Sequence, residues 1–204
     1  MFGFETNDGA VVVPETPEWI INDDHTDKYW PRLQRLIRFY CIECPVLGSS
    51  NHRVSLAEYG WDAPWKKPQK LNFKLKNAST SNCLYWSAAA YKQMEDRLLS
   101  AGLQVINYDS LSLVESAAFY DAKKNQTLSL LTHIRNSFAH GRFYVFESVE
   151  GTTWIVMEDV TKRKKNDPEG TKRLSARILL RIETLESWIN LIREGPDTSE
   201  GSNE

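Results

Sequence analysis

The stretch Thr132–Phe143, THIRNSFAHGRF, groups Arg135, Asn136 and His140 just ahead of a glycine. These side-chain types suit chemistry on a phosphate. Arg keeps its charge and offers planar, bidentate donors to phosphate oxygens. His gives or takes a proton near neutral pH. Asn orients a neighbour or donates to an oxygen itself. An RNA strand supplies its own nucleophile, the 2′-OH. Cleavage then needs a base for that proton, an acid for the leaving oxygen and a fixed positive charge for the transition state. It requires no metal and no cofactor. The same residues also fit an ordinary helix end, where a cation complements the helix dipole and Gly closes the last turn.

Geometry narrows how such a site is built. On a helix over 128–140, Leu130, Leu131, Ile134 and Phe138 share one side. Arg135 falls at the edge of that stripe, while Asn136 and His140 point elsewhere. At ~100° per residue, Arg135 and His140 stand roughly 140° apart and do not touch on an ideal helix. Either the helix ends before Gly141 and His140 swings back, or the residues converge with those of another chain. A symmetric dimer on this helix would place two Arg and two His in one cleft, because an isologous interface doubles each residue about its axis.

The elements around this helix read as follows. Residues 1–25 hold Gly, Pro and Asp without a sustained period and form an N-terminal arm or short extended segment. Leu33, Leu36, Ile37, Tyr40 and Cys41 recur at helical spacing, predicting a helix over about 28–44 that opens on Pro31 and stops at Pro45. Residues 45–78 have no clean period. Their lysines 66, 67, 70, 74 and 76 read as a solvated loop or one that touches an anion. A helix from Ser81 or Asn82 to Gly102, a third over about 110–121 and the motif helix over about 124–139 come next. "RFYVFESV" and "TWIVMEDV" then switch to period two around Glu150–Gly151, predicting a β-hairpin over about 142–160. A charged loop follows, with Lys162, Arg163, Lys164, Lys165, Lys172 and Arg173 against Asp167 and Glu169. Leu174, Ile178, Ile182, Leu185, Ile189 and Ile192 predict a last helix over about 173–194. The pattern is a mostly α bundle interrupted by one hairpin.

Bulk composition excludes several classes. The 204 residues suit one domain, with 41% hydrophobic and 25% charged residues as in globular proteins. A net charge of −2 excludes a globally basic nucleic-acid binder, though not a local basic patch. No membrane span or signal segment is legible, so the expected location is the cytoplasm. Cys41-Ile-Glu-Cys44 forms a single C-x-x-C, with only Cys83 and His52 near it as further zinc ligands. Both cysteines extend an apolar stripe and read better as core residues.

Arg135-Asn136-Ser137-Phe138-Ala139-His140 resembles the motif of HEPN domains: Arg, a polar residue after it, and His after four to six positions. The setting resembles theirs too, with "LSLLTHIRNSFAHGRF" entering as a helix and "RLSARILLRIETLESWINLIREGP" similar to a closing helix. The clearest match covers about 125–195. The resemblance implies a HEPN-like antiparallel helical bundle over 26–196, with the hairpin and basic loop at about 142–173 inserted before the C-terminal helix. Residues 197–204 would be a disordered acidic tail. It implies a homodimeric, metal-independent endoribonuclease acting at a composite interface site, as bacterial toxins, phage-defence effectors and RNA-processing factors do. Arg135 and His140 would be catalytic and Asn136 supporting. RNA and a second copy are the expected partners, with an antitoxin or sensor protein as a further one and no membrane. Lys162, Arg163, Lys164 and Lys165 are candidate RNA contacts, His133 a residue of the polar face. A non-catalytic HEPN-like module binding a nucleotide, RNA or protein through the same cleft is the alternative.

Overall fold

The computed structural model describes residues 4–6, 8–16, 26–46, 54–61, 66–79, 84–104, 112–121 and 125–196. In chain order they form β1 (Phe4–Glu5), β2 (Val11–Pro14), α1 (Thr26–Arg38), α2 (Lys66–Asn77), β3 (Leu84–Ala88), α3 (Met94–Ala101), β4 (Ser116–Tyr120), α4 (Gln126–Ala139), β5 (Phe143–Glu147), β6 (Thr153–Thr161), β7 (Thr171–Arg181) and α5 (Ile182–Glu194). A π-helical turn, Phe39–Glu43, prolongs α1.

A seven-stranded mixed sheet organises these elements, and β7 is its axis. Along one edge β7 pairs antiparallel with β6, from Trp154↔Arg181 to Thr161↔Arg173, and β5 flanks β6. Its other edge is divided. Residues 171–173 pair with β2, which carries β1, and residues 176–179 pair with β4, which carries β3 in parallel. The register shifts between Asp159 and Val160, where β7 advances by one extra residue, Ser175. That bulge falls where β7 passes from one neighbour to the other, so the added local twist separates the two branches.

Both faces of the sheet are covered. On one, Ile155, Met157, Ala176, Ile178 and Leu180 pack in a single cluster with Leu33 and Leu36 of α1, Leu131 and Ile134 of α4, and Leu185, Trp188 and Ile189 of α5. On the other, Trp154, Val156 and Leu179 pack with Leu98 of α3 and with Leu103. The connection β3–α3–β4 is a crossover between parallel strands, which a helix on one face accomplishes.

The mostly α bundle expected from the sequence is therefore wrong: the fold is an α/β sheet with helices on both faces. Three helical readings fail for identifiable reasons. The last one covers a strand and a helix fused without a loop, β7 into α5. Because β7 is buried on both faces, its apolar residues run nearly continuously and lose the period of two. The helix expected from Ser81 is β3 followed by the shorter α3, and the one over 110–121 holds β4, whose SAAFY is too short to show a period. Conversely, the lysine-rich segment read as a loop contains α2. The α1, α4 and hairpin readings hold, but the hairpin is part of the central sheet rather than an insertion. The segment read as an N-terminal arm supplies β1 and β2. The acidic tail 197–204, Cys83 and His52 lie outside the described residues.

Candidate active site

Helix α4 is set in place from its first residue to its last. Asn125 caps its start, accepting from the Leu128 amide at 3.1 Å. At its end the Gly141 amide donates to the Phe138 carbonyl (3.2 Å) and the Arg142 amide to the Ser137 carbonyl (2.9 Å). This double closure is a Schellman motif and needs a left-handed residue, which Gly141 supplies with φ +63°. His140 is thus the last residue before the chain turns into β5, and its side chain is exposed.

Behind the helix runs a chain of hydrogen bonds whose centre, His133 and Asp159, is buried. His133 Nε2 faces the Tyr120 carbonyl at 2.8 Å and Nδ1 faces Asp159 Oδ2 at 2.6 Å. The Asn136 amide donates to the same Asp159 oxygen at 3.0 Å. Arg135 Nη1 donates to Asn136 Oδ1 at 3.1 Å. Arg135 and Asn136 are half-buried, and the Arg135 carbonyl lies 3.9 Å from the Cys41 sulfur in the π-turn. Arg135 and Asn136 are therefore brought together; His140 stands at the helix cap one turn beyond Asn136, its amide donating to the Asn136 carbonyl at 2.9 Å, and roughly 140° round the helix from Arg135.

His133 departs from its expected place. It is 5% exposed and faces the sheet, not the solvent. Its partner, Asp159 of β6, was not singled out in the sequence. The available signal was Glu158-Asp159 at the end of an apolar strand run: consecutive side chains of a strand point to opposite faces, so one of the two acids must point inward and find donors. Both do. On the opposite face Glu158 accepts from Arg142 Nη2 and from Arg177 Nε (2.9 Å), with all three residues buried. Arg142 Nη1 also donates to the Glu15 carbonyl at 2.6 Å. Two adjacent acids of β6 thus grip the end of the motif helix from two sides, Asp159 through its last turns and Glu158 through the residue after Gly141.

The basic loop is exposed at Lys162, Arg163, Lys164 and Lys165. Two of these serve the fold: Lys164 Nζ binds Asp8 at 2.9 Å, and Arg163 Nη1 donates to the Asp167 carbonyl at 3.1 Å. Arg173, expected within the same basic run, is buried in a bidentate pair with Asp167 at 2.6 and 2.7 Å. That guanidinium holds the Asp167 carboxyl below the usual carboxylate range. Cys44 is fully buried and Cys41 half-buried, and burial raises both thiols above their ordinary pKa, Cys41 against a smaller lowering effect of the Arg135 charge. Among the described residues no three His, Cys, Asp or Glu side chains group as metal ligands.

Sheet, covering helices and buried polar chain define an α/β protein that displays Arg135, Asn136 and His140 at one helix end. A family model described as HEPN pEK499 p136 matches residues 67–198, more than half of the chain, and the chain belongs to this HEPN family. No curated protein and no solved structure gives a match. The matched stretch runs from α2 through α5 and contains Tyr120, His133, Arg135, Asn136, His140 and Asp159.

Proposed function

We propose that this protein is a metal-independent endoribonuclease whose site is completed by a second copy of the chain. The observation that carries the reading is the division of labour on α4: Arg135 and Asn136 are braced from behind by buried groups, whereas His140 stands exposed at the cap. A half-buried guanidinium is a fixed charge suited to a phosphate in its transition state. An exposed imidazole is free to exchange protons. One helix cannot bring the two together, and a two-fold axis along this helix end can.

In the proposed reaction one His140 takes the proton from the 2′-OH. The 2′-oxygen attacks phosphorus, and the bond from phosphorus to the 5′-oxygen breaks. The second His140 of the cleft protonates that leaving oxygen. Arg135 balances the charge that builds on the phosphate, and Asn136 holds Arg135. The products are a 2′,3′-cyclic phosphate and a 5′-hydroxyl. Exposed Lys162 and Lys165 guide the strand, which makes binding salt-dependent. In the cell the enzyme acts in the cytoplasm as a toxin or defence effector, restrained by an antitoxin or a sensor.

Subunit mixing tests the reading. Arg135→Ala and His140→Ala homodimers should each be inactive. Co-refolded with an excess of His140→Ala, the wild type should lose cleavage as mixed dimers form, because a mixed dimer holds only one of the two His140 side chains. A mixed dimer that forms and cleaves as fast as the wild type, or a wild type that is monomeric at micromolar concentration, would defeat it. RNA bound but never cleaved would favour the non-catalytic module.

A further inference from the structure

We infer that Asp159 is a positioning residue of this site, with His133 as its brace; the inference rests on the proposed roles of Arg135 and Asn136. A carbonyl can only accept, so His133 Nε2, 2.8 Å from the Tyr120 oxygen, carries a proton. The 2.6 Å contact between Nδ1 and Asp159 holds a second one, because two lone pairs do not approach that closely. The ring is thereby tied at both ends and keeps Asp159 Oδ2 in place beneath α4. Asp159 and His133 are 4% and 5% exposed, so water does not compete for the contact between them.

The fixed oxygen decides which way the Asn136 amide lies. Asp159 accepts at 3.0 Å and accordingly draws the NH2 end. The Asn136 carbonyl oxygen then points the other way, to Arg135 Nη1 at 3.1 Å. Turned end for end, the amide would set its own N–H groups against the guanidinium and lose both bonds. Asp159 therefore sets the polarity of Asn136, and Asn136 in turn fixes one nitrogen of Arg135. Among the described residues Arg135 Nε is buried without a hydrogen-bond partner. An oxyanion would therefore meet the Nη end of the guanidinium, the end that Asn136 holds through Nη1. Strand alternation on β6 turns the Asp159 carboxylate toward α4 while Glu158 points to the other face.

The test combines a double-mutant cycle with a readout that needs no activity. Asp159→Ala and Asn136→Ala should each lower kcat about 10–100-fold with KM changed less than about threefold, as for a misplaced catalytic group. The double variant should be no worse than the poorer single one, because both break the same chain. Asp159→Asn, which conserves volume, should recover part of the loss. Independently, NMR of the wild type should show both His133 ring protons and the Asn136 side-chain amide protected from solvent exchange. Additive losses in the cycle, or wild-type kcat in folded Asp159→Ala, would overturn the inference. So would a fast-exchanging Asn136 amide. A wild type that cleaves no RNA would defeat the ribonuclease reading alone, and the exchange measurement would still decide whether Asp159 orders Asn136.

Discussion

Gly141 is the residue on which the shape of the site turns. It sits at φ +63° with open space where a Cβ would lie, so an alanine there meets no clash and pays only the left-handed backbone strain. Gly141→Ala should lower stability by about 1 kcal/mol, seen as a lower denaturant midpoint with an unchanged slope. An unchanged midpoint would mean that the turn does not hold Gly141 in that conformation. At this scale the sequence was informative where chemistry and spacing coincide. Arg135, Asn136 and His140 stood out because their types suit a phosphate and because they end an apolar helix. Asp159 and Glu158 did not, since a carboxylate in a strand acquires meaning only from the residues opposite it, here 23 and 16 positions away for Asn136 and Arg142. His133 was misplaced for the same reason: its face of the helix becomes an interior only when β6 lies against it.

Two ion clusters join the elements, and each makes a different prediction. Glu158 holds Arg142 at the end of α4 to Arg177 of β7, with all three buried. Glu158→Gln leaves two guanidinium groups without a counter-charge, and breaking such a pair should cost about 3–5 kcal/mol. Thermal melting that falls by only a degree or two would contradict this. The second cluster ties the turn before β2 to the loop between β6 and β7, through Asp8, Lys164, Asp167 and Arg173. Arg173 holds the Asp167 carboxyl below its ordinary range, and hydrogen bonds from Arg173, Thr6 and Lys164 lower Asp8 further. A lowered folded-state pKa gives stability that is present above the unfolded value of about 4 and is lost as pH falls below it. The stability gap between wild type and Asp167→Asn should therefore narrow from about pH 5 to about pH 2. A gap that stays constant would show that the carboxylate charge contributes nothing. Element identity was legible for α1, α4 and the β5–β6 hairpin, whose periods run long enough to read. It was hidden in β7, where two covered faces erase the alternation. Its trace was Arg173, Ser175 and Arg177, each with a polar partner, although the bulge at Ser175 sets Arg173 on the face opposite Arg177.

At the scale of the whole molecule, the sheet bears on the proposal that the site takes two copies of the chain. It braces α4 along its buried side and leaves the helix end with His140 facing outward, so a single copy presents half of the proposed site. No described helix is long and apolar enough to cross a membrane, and α4 spends its apolar residues on the sheet. The most direct test of the central claim is cleavage of a mixed RNA pool in EDTA by wild type, Arg135→Ala and His140→Ala, with the product ends identified. The account predicts cleavage by the wild type that leaves 2′,3′-cyclic phosphate ends. It predicts a loss of about 10²–10⁴-fold in each variant, with folding intact. Equal cleavage by all three, or no cleavage by folded, dimeric wild type, would contradict it.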